Sequence, residues 1–205
     1  MGSRERRDRE KSELRGKILD AAPELFVEEG YDAVTMRKVA ERIEYSPTAI
    51  YLHFEDKAAL LREIVAADFA KLAAHFQKLG RIEDPIERLI RVGRAYVDFG
   101  LAHPNHYRLM FGARPDPPAE RKVKSGDPQN DAYAFLCVAV TDAMEGKRLR
   151  PELRDPELVA QVLWSAVHGI VSLQIEHFDA LQSSVRKPRD ITILMLDVLI
   201  RGMSR

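Results

Sequence analysis

The sequence has little cysteine and no obvious leader or membrane-spanning run, and each of these absences removes a class of protein. Its single cysteine, Cys137, excludes a disulfide framework and a cysteine-based zinc site, and fits a reducing compartment. No apolar run looks long enough to cross a membrane, and the N-terminus, MGSRERRDREK, is charged throughout instead of resembling a signal peptide. We therefore expect a cytoplasmic protein with no membrane partner.

An excess of charge of one sign is also missing. The 32 basic and 32 acidic residues leave a net charge of zero, which argues weakly against a nucleic-acid-binding protein. The distribution is less even, because basic side chains outnumber acidic ones over residues 1–17. This bias predicts a flexible basic arm over residues 1–11, with a plain solvated tail as the alternative.

Sequence motifs of catalysis and of cofactor binding are absent as well. There is no GxGxxG, no P-loop and no GxSxG. Cys137 lies between apolar residues of a predicted helix and is interpreted as a core residue. We expect neither an enzyme nor a bound cofactor.

Helical periodicity is what the sequence has instead, from one end to the other. Strand-like alternation is missing, and we predict an all-α protein of about nine helices. Pro23 is expected to kink or divide the first helix, which Gly30 should end. Residues that favour helix N-caps precede the later helices: Thr35, Ser46, Asp56, Asp84 and Asp155.

The predicted helices divide into a small N-terminal group and a larger C-terminal group. We predict a helix-turn-helix domain over residues 12–56, a linker helix over 57–80 and a helical effector-binding and dimerisation domain over 81–205. The stretch 113–129 is rich in Pro, Asp, Lys and Gly, and predicts a mobile loop.

The segment SPTAIYLHFEDK, residues 46–57, carries the clearest functional signal. A helix, a short helix, a tight turn and a second short helix make up a helix-turn-helix, whose second short helix enters a major groove about 12 Å wide. The polar tips of Tyr51 and His53 can reach phosphates, and Lys57 lies where the next helix presents free N–H groups. The first turn carries side chains small enough for the backbone to approach bases: Ser46, Pro47, Thr48 and Ala49. A plain helical hairpin within a core is the alternative.

Two stretches, ILDAAPELFVEEGYDAVTMRKVAERI and SPTAIYLHFEDKAALL, resemble the DNA-binding domain of the TetR family of bacterial transcriptional regulators over residues 14–64. The resemblance implies phosphate contacts by Thr35, Tyr51, His53 and Lys57. It also implies positions near the bases for Arg37, Pro47, Thr48 and Ala49, with Arg37 matching an arginine that contacts guanine in some members. Glu44 departs from the pattern, because glycine is common at that position, so the turn is expected to be strained or differently shaped.

Four of these side chains also have plainer interpretations. For Arg37 and Lys57 the alternative is simple solvent exposure. For Tyr51 and His53 the alternative is packing against the protein's own core.

The last two predicted helices are apolar on nearly every face and therefore need cover on every face. A second copy of the chain is the simplest cover. We predict a two-fold homodimer through helices at about 156–180 and 189–203. A dimer also suits DNA recognition, because one short helix reads too few base pairs alone, and the TetR resemblance implies the same arrangement.

The motif WSAVHG, residues 164–169, suggests a ligand-binding region. A glycine within a helix costs about 1 kcal/mol relative to alanine, so a second helix or a ligand is expected close to Gly169. Together with AHPNHYRLMF, residues 102–111, the motif resembles the WHG-type ligand-binding domain of a subset of TetR regulators. The candidate cavity residues are Tyr96, Phe99, His103, Tyr107, Met110, Phe111, Phe135, Trp164 and His168. Ordinary core packing is the alternative for each of them.

These observations predict a ligand-responsive transcriptional repressor that binds a palindromic double-stranded DNA operator as a homodimer. Its effector is expected to be a small, largely apolar molecule. The alternative is a constitutive DNA-binding protein without an effector, whose larger domain would be solidly filled. A metal site formed by His103, His106 and His168 is disfavoured, because no carboxylate or cysteine lies at a helpful spacing.

Overall fold

The computed structural model of the protein describes residues 3–112, 126–176 and 186–205. Within these ranges the chain forms nine helices and no strand, which confirms the predicted all-α class. The helices are α1 (Ser3–Glu29), α2 (Met36–Arg42), α3 (Pro47–Tyr51), α4 (Lys57–Leu79), α5 (Pro85–Ala102), α6 (Pro104–Phe111), α7 (Ala132–Glu145), α8 (Pro156–Glu176) and α9 (Pro188–Met203). Most of the predicted loop over 113–129, and the predicted end of α8 beyond Glu176, lie outside the described residues.

The predicted flexible arm is helical in the structure. α1 begins at Ser3 and is not divided at Pro23, whose side chain is fully buried. The charged residues at its start are good helix formers, and Arg6 pairs with Glu10 one turn later at 3.1 Å. Gly30 then ends the helix with a left-handed φ of 79°, as expected.

The helices group into two compact units whose boundaries differ from the predicted ones. The first unit comprises Met1–Asp68 and Asn105–Arg121, and the second comprises Phe69–Pro104 and Lys122–Arg205. α6 therefore belongs with the N-terminal helices, because its Leu109 is part of their buried core. α4 passes from one unit into the other.

The predicted N-caps form in the first unit. The Thr35 hydroxyl accepts from the Lys38 N–H at 3.2 Å, and the Ser46 hydroxyl accepts from the Ala49 N–H at 3.2 Å. Pro47 occupies the first turn of α3, where its missing N–H removes no helical bond.

The turn between α2 and α3 is closed by a left-handed glutamate. Glu44 has a φ of 60°, and its N–H donates to the Glu41 carbonyl at 3.2 Å. The next N–H, of Tyr45, reaches back to the Ala40 carbonyl at 2.9 Å, which completes a Schellman helix end. A side chain at this φ costs about 1–2 kcal/mol, so the strain expected at this turn is present.

In the second unit α5 packs against α7, α8 and α9. The Asp84 carboxylate starts α5 by accepting from the Ile86 and Glu87 N–H groups at 2.8 and 3.2 Å. The Glu87 N–H, followed by the guanidinium of Arg148, lowers the pKa of Asp84. The same capping aspartate therefore also holds the loop after α7.

α8 corrects one expectation from the sequence. At 21 residues and a mean hydropathy of 1.5, it is by length and composition apolar enough to cross a membrane. Seven of its side chains face the core of the second unit: Val159, Ala160, Leu163, Val167, Ile170, Val171 and Ile175. Its apolar composition reflects both this core face and a second, exposed face.

Replacing Glu44 by glycine should stabilise the protein. Glycine adopts the left-handed conformation without the clash of a Cβ atom, so the unfolding free energy of Glu44→Gly should rise by about 0.5–1 kcal/mol in urea denaturation. Glu44→Ala is the matched control, because it removes the carboxylate but keeps the Cβ. Equal gains from both variants would show that charge, and not the backbone conformation, limits stability at this turn.

Candidate nucleic-acid interface and aromatic cluster

The outer face of α3 is polar, small and accessible. Ser46, Pro47 and Thr48 are exposed, and Ala49 is partly exposed. Tyr51 is 56% exposed, which rules out the alternative that it is a core residue. Leu52, which follows α3 and was not among the predicted site residues, is 74% exposed. Its apolar side chain suits a thymine methyl group, but a leucine in a helical pattern gives no sequence signal for such exposure.

α3 is anchored by two apolar side chains that lie four positions apart, one on its inner face and one just after its end. Ile50 is fully buried and Phe54 is 3% exposed, and their spacing of four residues suits a shared inward direction. Both belong to the same core as residues of α1, α2 and α4. This anchoring fixes the direction in which the outer face of α3 points.

Arg15 supports α3 from α1 and was missed at the sequence level. Its guanidinium lies 4.9 Å from the centre of the Phe54 ring and pairs with the Glu63 carboxylate. It also reaches the His53 carbonyl at 3.5 Å. One charged side chain of α1 thus contacts both α4 and the segment that follows α3, but nothing in its local sequence marks it.

Arg37 and Thr35 lie at the start of α2. The Arg37 Nε donates to a Glu41 carboxylate oxygen at 2.8 Å, and both side chains are largely exposed. Such a one-turn surface pair is worth only about 0.3–0.5 kcal/mol, so it does not prevent Arg37 from exchanging partners. The Thr35 hydroxyl also serves as the α2 cap.

His53 is half-buried beside Phe54, with ring centres 6.4 Å apart. Burial, and then the positive charges of Lys11 and Arg15, lower the pKa of its imidazole. Its ring is therefore neutral at pH 7. A neutral ring can still donate one hydrogen bond to a phosphate, although it supplies no charge.

Lys57 is the predicted phosphate contact whose surroundings differ most from the expectation. Its ammonium donates to the carbonyls of Tyr31, Asp32 and Val34 at 2.7, 3.2 and 3.3 Å. It also lies 4.3 Å from the centre of the Tyr31 ring. This geometry ties the start of α4 to the chain between α1 and α2, while a contact with phosphate stays a prediction.

Lys57→Met tests this structural role. The variant keeps the aliphatic stem and removes all three donors, so the unfolding free energy should fall by about 1–3 kcal/mol in urea denaturation. Lys78→Met, at an exposed position of the same helix, should change little. The opposite result would be an unchanged unfolding free energy together with a slope of DNA affinity against salt that is smaller by about one phosphate contact. That result would mean that Lys57 contacts DNA and not the protein's own carbonyls.

In the second unit, three predicted cavity residues form a hydrogen-bonded cluster. The Trp164 indole N–H donates to the Tyr96 hydroxyl oxygen at 3.2 Å, and that hydroxyl lies 3.0 Å from Nδ1 of His168. Tyr133, which was not predicted, lies against Trp164 with ring centres 5.7 Å apart. These residues come from α5, α7 and α8, so only the fold brings them together.

The charge state of this cluster follows from burial. Burial lowers the pKa of His168, so its imidazole is neutral at pH 7. The Tyr96 oxygen accepts from Trp164, and the Tyr96 hydroxyl shares one further hydrogen bond with Nδ1 of His168, whose donor is set by the tautomer of the imidazole. The cluster is a polar chain without net charge inside an apolar core.

The other predicted cavity residues are divided between the two units. Phe99 lies 5.2 Å from His103 between ring centres, and Phe135 lies 5.9 Å from Phe76, all in the second unit. α6 carries the remaining three, Tyr107, Met110 and Phe111, in the first unit.

The histidines that were weighed as metal ligands have other surroundings. His106 lies in the first unit, where its Nδ1 is 2.7 Å from the buried Asp68 carboxylate. His168 bonds Tyr96 in the second unit. Over the part of the chain that the structure describes, no three His, Cys, Asp or Glu side chains are grouped to hold a metal ion.

Comparison with protein families agrees with both units. Residues 18–64 match the bacterial regulatory proteins of the tetR family, and residues 89–199 match the tetracyclin repressor-like C-terminal domain. The chain belongs to the TetR family. The family and the relatives are DNA-binding transcriptional regulators and not enzymes. The narrower WHG-type assignment stays a prediction.

Curated relatives include both repressors and activators. The tetracycline repressor protein class A from transposon 1721 of Escherichia coli is 33% identical over 123 residues, 60% of this chain and 53% of that protein. The HTH-type transcriptional activator FasR of Mycolicibacterium smegmatis is 33% identical over 102 residues, 49% of this chain and 47% of that protein. The chain thus spans about half the length of these relatives.

Solved structures show the same fold over almost the whole chain. A protein of unknown function from Rhodococcus sp. RHA1 superposes with a TM-score of 0.75 at 24% identity, covering 94% of this chain and 96% of that one. At this identity the likeness concerns the fold alone.

Proposed function

We propose that this TetR-family chain is a cytoplasmic repressor that binds a palindromic DNA operator as a homodimer, and that a small, largely apolar effector alters this binding. The observation that carries the proposal is α3, whose small polar face is exposed while Ile50 on its inner face, and Phe54 just after it, are buried. The similarity to the tetracycline repressor supports repression over activation.

The proposed DNA contacts fall into two groups. Thr35, Tyr51 and His53 contact phosphates and set the orientation of α3 in the groove. Residues near the bases read the sequence, and these are Arg37, Pro47, Thr48 and Ala49. Ser46 positions the start of α3 through its cap. Lys57 joins the phosphate group only if its ammonium leaves the carbonyls that now hold it.

The proposed dimer interface is the exposed face of α8 together with that of α9. On α8, Leu158, Val162 and Leu173 are 58%, 41% and 49% exposed and recur on one side of the helix. Gly169 lies on that same side, and a Cβ added there meets no atom of the described chain within 4 Å. On α9 the exposed apolar residues include Leu194 and Val198, at 65% and 59%. An apolar stripe with a glycine in it suits close packing against a second copy.

Gly169→Leu should separate subunit stability from dimerisation. The new side chain has room within its own subunit, and it removes a helix-disfavouring glycine, so the isolated subunit should fold at least as well. A partner helix packed over Gly169 would be displaced, so the dimer dissociation constant should rise at least tenfold in sedimentation equilibrium. An unchanged dimer would place the interface elsewhere.

Selection of DNA from a random pool tests the same assembly from the DNA side. A dimer should select an inverted repeat whose half-sites lie about 34–36 Å apart, or near that spacing. Gly169→Leu should lose the preference for two half-sites over one. Selection of a single, non-repeated site by the wild type would contradict the dimeric reading of DNA.

The proposed effector site is the aromatic cluster of Tyr96, Trp164 and His168, with Tyr133 beside it. Few polar groups in an apolar and aromatic setting are typical of small-molecule sites. Its lack of net charge favours an uncharged or weakly polar effector. The alternative, a constitutive DNA-binding protein, would use the same cluster only as core.

α4 offers a route from effector to DNA, because its start is held by Lys57 in the first unit and its end belongs to the second. An effector acts through this helix only if it binds two orientations of α4 with different affinities. The resulting coupling should be about 1–3 kcal/mol and reciprocal.

Titration of Trp164 fluorescence tests this coupling, since Trp164 is the only tryptophan. A panel of small apolar compounds should include one that changes the fluorescence, and its affinity should differ about 5–150-fold with and without the selected operator. Tyr96→Phe should weaken the binding of that compound and leave the affinity for the operator unchanged. Identical affinity with and without operator would favour the constitutive alternative.

A further inference from the structure

A cleft in the C-terminal unit has a chemistry different from that of the aromatic cluster. It lies between α5 and α9, beside the end of α4, and has a volume of about 490 Å³. Its lining residues are Leu79, Arg91, Arg94, Ala95, Val97, Asp98, Leu101, Arg189, Thr192 and Ile193. None of the nine residues predicted to line an effector cavity is among them.

The charged residues of this α5–α9 cleft are unevenly satisfied. Arg91 pairs with Glu87 at 2.6 Å, which neutralises it. Arg94, by contrast, has a buried Nε that meets no hydrogen-bond partner in the described chain. Arg189 forms no ion pair with any described residue, so the cleft offers two guanidinium groups against the single carboxylate of Asp98.

The Arg94 side chain lines the cleft and is only partly buried, and its Nε has no acceptor within the described chain, so the guanidinium is available to a ligand that enters the cleft. The Nε and one terminal nitrogen of arginine present two parallel donors, and a carboxylate matches them with its two oxygens. The Thr192 hydroxyl gives its single proton to the Pro188 carbonyl at 2.7 Å, so it has no proton left to donate to a carboxylate.

The remaining surface of the cleft is apolar, so it favours a ligand whose anionic group is attached to an apolar chain. Leu79, Leu101 and Ile193 are among its lining side chains. The volume lies within the range of about 300–1,000 Å³ found for small-molecule sites. Two unpaired arginines and Asp98 leave one net positive charge, which suits a monoanion better than a dianion.

We infer that the α5–α9 cleft binds a small monocarboxylate with an apolar chain. Arg94 and Arg189 hold the carboxylate, and the apolar side chains cover the tail. Asp98 disfavours ligands with a second negative charge. This site is separate from the uncharged aromatic cluster, and its occupancy does not depend on the proposed effector.

Isothermal titration of the full-length protein with octanoate tests the inference. Octanoate should bind at least tenfold more tightly than 1-octanol, which has the same chain without the charge, and than inorganic phosphate, which has charge without the chain. Arg189→Met, at an exposed position, and Arg94→Met should each weaken octanoate at least tenfold and leave 1-octanol unchanged.

Arg201→Met is the matched control, because Arg201 lies on the same helix, is 80% exposed at its side chain and pairs with Asp197 outside the cleft. Thermal unfolding of each variant checks its fold. If Arg94→Met does not fold, the result for Arg189→Met decides the test. Equal binding of octanoate and 1-octanol, or of octanoate and phosphate, would overturn the inference. So would octanoate binding that survives Arg189→Met but is lost in Tyr96→Phe, since that result assigns the ligand to the aromatic cluster.

Discussion

The DNA-binding role of the molecule depends on two buried side chains, one on α3 and one just after it, because this helix has no stability of its own. α3 is five residues long, far below the length of about 12–15 residues at which an isolated helix becomes even marginally stable in water. Ile50 and Phe54 supply the stability that intrinsic helix propensity cannot, because both side chains are buried in the core of the first unit. Everything on the outer face of α3 is presented by that burial.

The supports around α3 show that charged side chains in a DNA-binding unit serve the scaffold as well as the ligand. Arg15 and Lys57 both resemble solvent-exposed cations in the sequence, yet the first links α1 to α4 and to the segment after α3, and the second donates to three carbonyls. Their charges are engaged within the protein. A basic residue near a recognition helix is therefore weak support for a phosphate contact until its own partners are known.

The C-terminal unit separates two kinds of recognition within a few helices. In the aromatic cluster, hydrogen bonds join Trp164 to Tyr96 and Tyr96 to His168. Burial lowers the pKa of His168, so these hydrogen bonds join uncharged groups. The α5–α9 cleft keeps charged groups at its lining and leaves a guanidinium donor unmatched. An apolar ligand suits the first and an anionic one the second, so α5 contributes to both through different faces.

The sequence by itself determined the elements whose causes are local. Caps at Thr35, Ser46 and Asp84, the stop at Gly30 and the periodicity of the long helices depend on residues within one turn of each other, and the structure confirms them. At Glu44 the sequence left two outcomes open, a strained turn or a differently shaped one, and the left-handed φ of 60° in the structure is the strained one.

Only the tertiary structure decided the features whose causes lie far apart in the chain. Leu109 of α6 joins the core of the N-terminal helices, so the unit boundaries do not follow chain order. The carbonyls that hold Lys57 come from more than twenty residues earlier, and the arginines of the cleft come from α5 and α9. Such partners meet through packing of separate helices, and no spacing within a single segment encodes that packing.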